Sequence, residues 1–140
     1  AIDALQLYIN RYPNSSRIEE GNKLIDELQD KLVYKSYLSA RNYFDRERYP
    51  SAIIALENAI NEYPGSSYRE ELMFMLLESR YMYADLSADQ KQNERYNLAK
   101  EEYFSFVDEY PKSKFQKETE RMINEIEAYF GEYKSANEDK

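Results

Sequence analysis

An interval of twelve residues from an alanine to a Tyr-Pro pair recurs three times in this 140-residue chain. The three copies lie at residues 1–15, 52–66 and 99–113. In each copy Leu or Tyr follows the alanine by four residues, as Leu56 follows Ala52 and Tyr103 follows Ala99. A small residue lets a neighbouring helix approach closely, whereas proline cannot continue a helix. The pattern predicts three copies of the second helix of a helical hairpin, each ending at Tyr-Pro.

A helix-start signal follows the Tyr-Pro pair of each of the three copies. The three candidate capping boxes are Ser16 with Glu19, Ser67 with Glu70, and Ser113 with Gln116. The acidic pairs that follow two of the prolines, Glu19-Glu20 and Glu70-Glu71, fall in a first helical turn. The helix dipole favours negative charge there. We therefore interpret these pairs as helix-start electrostatics rather than as a metal or acid-base site.

The spacing of the repeats indicates hairpins with additions. The proline-to-proline intervals are 51 and 47 residues, longer than the roughly 34 residues of a minimal tetratricopeptide unit. Apolar stripes predict one long helix near 17–46, a helix at about 67–86, a polar loop at 87–93 and a last helix at about 114–130. The predicted fold is all-α: about six helices in tetratricopeptide-like hairpins, stacked as a short solenoid.

The domain prediction places this repeat domain at residues 1–133, as the C-terminal part of a longer protein. Residues 134–140 are predicted to be a disordered tail, because they contain little apolar surface.

Composition excludes several classes of function. The chain has no Cys and no His, so thiolate or imidazole metal sites and nucleophile-histidine pairs are ruled out. The net charge of −8 disfavours nucleic acid as a partner. Carboxylate pairs such as Asp26 with Asp30, or Glu101 with Glu102, are interpreted as solvated helix faces. We expect no catalytic residue, no metal and no cofactor, and therefore a non-enzymatic protein that binds other proteins.

The 15 tyrosines are the least usual feature of the composition. Most of them occupy predicted packing positions, but four are less committed to a core: Tyr34, Tyr37, Tyr68 and Tyr81. Tyrosine offers a large contact area with a polar tip, which suits peptide recognition. These four residues are the candidates for a groove that binds extended peptides.

The run of residues 24–79 resembles the BamD (YfiO) family of outer-membrane β-barrel assembly lipoproteins. The resemblance rests on a long helix with the pattern D-x-L-x-x-K-x-x-x-x-A-x-x-Y (residues 30–43), a Y-x-x-A-I turn into the next helix, and Tyr-Pro-x-Ser before a Glu-rich helix start. It extends over residues 1–129 and corresponds to the C-terminal half of the family.

The resemblance implies a scaffold on the periplasmic face of the bacterial outer membrane, held by an N-terminal lipid anchor outside this chain. Its partners would be the last POTRA domain of a BamA-type insertase, other assembly subunits and unfolded outer membrane precursors. Another envelope tetratricopeptide lipoprotein, serving cell division, pilus assembly or a glycan-related machine, is the alternative.

The family's insertase contact includes the corner after the long helix. Arg46 stands where the family can have a contacting arginine, whereas Asn42 and Ala55 stand where a tyrosine and a second arginine can occur. Arg41, Arg46 and Arg48 are the predicted partner-binding residues. The alternative is that these arginines only solvate a helix end and complement its dipole.

Overall fold

The computed structural model describes residues 2–13 and 17–138, and within these ranges it contains six α-helices and no strand. The helices are α1 (Ile2–Arg11), α2 (Ile18–Asp45), α3 (Tyr49–Glu62), α4 (Arg69–Asp85), α5 (Asp89–Glu109) and α6 (Gln116–Glu138). The predicted all-α class, the six helices and the long helix near 17–46 are confirmed. None of these helices is long and apolar enough to cross a membrane.

Each helix packs on the next one along the chain, and α4 also contacts α6. This is the sequential stacking of helical hairpins that the repeat predicts. Ala52 on α3 and Ala99 on α5 are both fully buried. Their small side chains allow the helices to approach closely, as the repeat pattern requires.

The core consists of two clusters that share α4. The first lies between α2, α3 and α4, with Val33, Leu56 and Leu72 fully buried. The second lies between α4, α5 and α6, with Leu77 and Met122 among its members. Because α4 contributes to both clusters, it is the central helix of the described chain.

The Tyr-Pro pairs of the three repeat copies follow helix ends as predicted, whereas the fourth pair, Tyr49-Pro50, begins α3. Tyr63 and Tyr110 have φ of −126° and lie outside the helical region. After them, the hydroxyl oxygens of Ser66 and Ser113 accept hydrogen bonds from the N–H groups two residues later, at 3.0 Å. Ser67 instead donates to Asp30.

The capping box predicted at Ser67 and Glu70 is therefore wrong, because Tyr68 is the N-cap residue of α4 and no side chain caps that helix. Ser113 does accept an N–H bond, but Gln116 does not reach back to it, since its amide donates to Glu120. The box is incomplete there also. Ser16 lies outside the described residues.

Two helices extend beyond their predicted limits. α5 begins at Asp89, so the connection after α4 is residues 86–88 rather than 87–93. The amide of Gln92 donates to the last carbonyls of α4, at Ala84 and Asp85, which stabilises the short connection. α6 continues past Gly131 to Glu138 with exposed side chains, because one glycine weakens a helix by only about 1 kcal/mol. Helix thus covers residues 134–138 of the segment that composition predicts to be disordered.

Candidate protein-interaction surfaces

The backbone turns sharply between α2 and α3, at residues 46–48. Glu47 has φ of 59°, the only positive value among the non-glycine residues described. Its N–H donates to the carbonyl oxygen of Phe44 at 3.0 Å, and the N–H of Arg48 donates to that of Tyr43 at 2.9 Å. This pair of bonds is a Schellman motif, which satisfies the last carbonyls of a helix. The turn is therefore fixed by its own hydrogen bonds.

Three exposed arginines surround this turn, which we call the arginine corner (Arg41, Arg46 and Arg48). Arg41 pairs with Asp45 at 3.4 Å on the surface of α2. Such an exposed pair stabilises a fold by only about 0.2 to 1 kcal/mol. Arg46 and Arg48 form no ion pair with any residue that the structure describes. Two cations of the corner therefore remain available to a partner.

An aromatic contact joins the two helices that flank the arginine corner. The ring of Phe44 meets the ring of Tyr49 edge-on, with centroids 5.3 Å apart, and Tyr49 is only 6% exposed. Asn42 is exposed on the last turns of α2, whereas Ala55 is partly buried against the first core cluster. A partner can therefore reach Asn42, whereas Ala55 partly faces the core. The role of the three arginines stays a prediction.

Three of the four candidate groove tyrosines come together. Tyr34 lies with its ring centroid 6.3 Å from that of Tyr37 and 5.7 Å from that of Tyr68. Tyr34 is 46% exposed. These three residues, which we call the tyrosine cluster, join α2 to the start of α4. They form an aromatic surface that solvent, and hence a partner, can reach.

Tyr81 does not belong to that surface. It is 7% exposed and packs in the second core cluster, with its ring centroid 6.3 Å from that of Tyr96. The Tyr96 hydroxyl in turn donates to Asp85 at 3.1 Å. Burial, together with Asp85, raises the pKa of Tyr96 to about 12. Tyr81 is thus a core residue, and its prediction as a groove residue is corrected.

Polar and aromatic contacts also join α4 to the residues that precede α6. Lys114 pairs with Glu71 at 2.6 Å. The rings of Phe74 and Phe115 stack at 4.1 Å with an interplanar angle of 2°. The sequence did not reveal these contacts, because they join residues about 40 positions apart. Together they join the turn before α6 to the first turns of α4.

A partly buried arginine, Arg80, was not predicted from the sequence. Arg80 on α4 contacts Glu57 on α3 and donates from Nε to Glu102 on α5 at 3.1 Å. Burial raises the pKa of Glu102, and the nearby Arg80 opposes that rise. A lone arginine in the apolar run of α4 was the available signal for this network. It connects α3, α4 and α5 through one guanidinium group.

The remaining carboxylates do not assemble into a metal site. Within residues 2–13 and 17–138, no group of three or more acidic residues is placed to hold a metal ion. Burial raises the pKa of Glu78, although Arg41 and Arg121 oppose the rise.

Comparison with protein families gives a match that spans nearly the whole chain. The model of the YfiO outer membrane lipoproteins matches residues 1–98 and, in a second alignment, residues 37–136. Two overlapping alignments are what an internal repeat produces. No curated protein matches the chain at a significant level.

Proposed function

Because this chain belongs to the YfiO outer membrane lipoprotein family, a family of non-catalytic lipoproteins with a role in outer membrane protein assembly, we propose that it is a scaffold subunit of the β-barrel assembly machinery. It binds the last POTRA domain of a BamA-type insertase at the periplasmic face of the outer membrane. An N-terminal lipid anchor holds the full-length protein at that membrane.

The arginine corner is the observation that carries this proposal. Arg46 and Arg48 flank a turn that is fixed by two hydrogen bonds, and neither is paired with a described residue. Guanidinium groups bind carboxylates in a bidentate geometry that an ordered backbone can pre-position. A partner with an acidic patch therefore meets two unpaired cations, on an ordered backbone turn, in a chain whose net charge is −8. Because the rest of the chain is negatively charged, an acidic partner is attracted to these two arginines and repelled elsewhere, which favours a specific contact.

The tyrosine cluster supports a second contact within the same function. Tyr34, Tyr37 and Tyr68 present aromatic area beside hydrogen-bonding tips, a composition enriched at protein interfaces. Unfolded outer membrane precursors and other assembly subunits are the proposed occupants of this surface.

The experiment compares Arg46→Glu with Lys112→Glu as a matched charge reversal. Lys112 is also exposed and unpaired, but it lies in the turn between α5 and α6. Titration calorimetry measures binding of each variant to the isolated last POTRA domain. We expect about tenfold or greater weakening for Arg46→Glu, because reversal juxtaposes two anions. Lys112→Glu should bind like the unaltered chain.

Stability is measured in parallel by circular dichroism melting. An exposed residue at a helix end changes stability by about 0.5 kcal/mol or less, so both melts should be nearly unchanged. Equal binding by the two variants would show that the arginine corner is not the insertase contact. The scaffold function itself is tested by a pulldown of the full-length protein from envelope extract. If the insertase is present in the extract but is not captured with the protein, the scaffold function is contradicted.

A further inference from the structure

A pocket of about 410 Å³ opens between α2 and the turn that joins α3 to α4. Three carboxylates line it, Asp26 and Asp30 one helical turn apart on α2 and Glu62 at the end of α3. We call this the acidic pocket. Ser67 donates one hydrogen bond to Asp30 at 3.1 Å. Within the described part of the chain, none of the three carboxylates forms an ion pair.

The next repeat has the same turn, and there the chain supplies its own cations. The turn between α5 and α6 packs on the start of α4, where Ser113 donates to Glu70 at 2.6 Å and Lys114 pairs with Glu71 at 2.6 Å. Glu109, which precedes Tyr110, is held by Arg69 through two bonds of 2.5 and 3.2 Å. Each of these three carboxylates thus has a donor from the same chain.

The first turn lacks these cations. Counting from the proline, Ser67 occupies the position of Lys114, and Glu62 precedes Tyr63 as Glu109 precedes Tyr110. Lys31 and Lys35 line the neighbouring groove on the α1 side with Glu62, but neither pairs with it. The acidic pocket therefore lacks the cations that Arg69 and Lys114 supply at the second turn.

The aromatic surroundings of the two turns are also alike. Phe115 follows Lys114 and stacks on Phe74, and the Lys114 ammonium lies 5.2 Å from the Phe115 ring. At the first turn Tyr68 follows Ser67 and contacts Tyr34. An aromatic surface therefore borders the acidic pocket, as it borders the filled site.

We infer that the acidic pocket binds a lysine or arginine side chain from an extended segment of a partner protein, and that an adjacent aromatic residue of that segment packs on Tyr34 and Tyr68. Charge complementarity selects this occupant, because three carboxylates without a cation disfavour an acidic or purely apolar segment. The inference rests on the proposed function only in that the chain binds proteins.

The test is a titration of the ¹⁵N-labelled chain, followed by amide chemical shifts. One probe is the capped peptide acetyl-Gly-Lys-Phe-Gly-amide, and the control peptide has Gln in place of Lys. We expect saturable shifts at Asp30, Ser66 and Ser67 with the lysine peptide. The glutamine peptide should bind roughly fivefold more weakly or not at all. Equal binding of both peptides, or shifts confined to other surfaces, would overturn the inference.

Variants of the chain make the assignment specific. The pair Asp30→Asn and Glu62→Gln should weaken the lysine peptide about fivefold or more. The matched pair Glu94→Gln and Glu101→Gln removes two exposed acids from α5 and should leave binding unchanged. An equal loss in both pairs would mean that only the net charge of the chain attracts the peptide, which contradicts a defined pocket.

A third variant covers the case in which the double substitution disturbs folding. Ser67→Lys places a cation where the next repeat has Lys114, so it should fill the acidic pocket and abolish binding of the lysine peptide without loss of thermal stability. Retained peptide binding by this variant would refute the pocket. Binding to the POTRA domain should not change in any of these variants, whereas Arg46→Glu should leave peptide binding intact. Failure of the pocket and failure of the scaffold function are thus separable.

Discussion

Glu47 holds a backbone conformation that costs free energy, and replacing it with glycine should stabilise the chain. It is the C′ residue of the Schellman motif after α2, with φ of 59°. The left-handed region costs an L-residue about 1 to 2 kcal/mol. Glycine adopts it freely but loses about 0.5 to 1 kcal/mol more conformational entropy on folding. Because the Glu47 side chain is exposed and unpaired, we expect a net gain of roughly 0.5 to 1 kcal/mol for Glu47→Gly.

For a chain of 140 residues this gain corresponds to a rise in Tm of about 2 to 4 °C. Differential scanning calorimetry measures it directly. The control is Glu47→Ala, which removes the same charge but keeps the Cβ atom that causes the steric cost. We expect its Tm to stay within about 1 °C of the unaltered chain. A glycine variant that melts with the alanine variant, or below it, would refute the assignment of strain to Glu47.

Three further changes test the packing and the buried charges. Ala99→Leu should overpack a fully buried contact and cost about 1 to 3 kcal/mol in a urea melt, and an unchanged midpoint would contradict the close helix approach. Arg80→Met should cost about 1 to 3 kcal/mol, because it leaves the partly buried carboxylate of Glu102 without its cation, whereas Arg121→Met on the exposed face of α6 should cost little. Burial raises the pKa of Glu78 from its ordinary value of 4.5. Between the ordinary pKa and the raised pKa, the folded state binds more protons than the unfolded state, so the free energy of unfolding should fall as the pH rises through that range. Glu78→Gln should flatten that slope in melts recorded between about pH 4.5 and 7, and an identical slope would contradict the assignment.

The architecture could be predicted from the sequence because residues within the repeat mark where helices pack closely and where they end. Ala52 and Ala99 mark close helix contacts, and the Tyr-Pro pairs mark helix ends whose backbone leaves the helical region. These are local effects of side-chain size and of the proline ring, and their result depends on position, since Pro50 lies in the first turn of α3, where a helix tolerates proline. The arginine corner was predicted in another way, from the family resemblance at Arg46, and the structure shows that its three arginines are exposed.

Other features depended on contacts that sequence periodicity does not report. Tyr81 is buried because α4 packs against α3, α5 and α6, which leaves that helix no solvent face of its own at this position. The start of α5 at Asp89 was missed because its first turns are polar, and a solvated helix end has the same composition as a loop. The acidic pocket needed the structure, because its carboxylates come from α2 and α3.

The arginine corner and the acidic pocket lie at the two ends of α3, and this separation determines how they can act. α3 has 14 residues, which at 1.5 Å per residue places its ends about 20 Å apart. Exposed charges are screened over about 8 Å at physiological ionic strength. The cations of Arg46 and Arg48 therefore do not neutralise Asp30 or Glu62, and each surface keeps its own sign. A single scaffold can thus hold an acidic partner at one end of α3 while it binds a basic segment at the other.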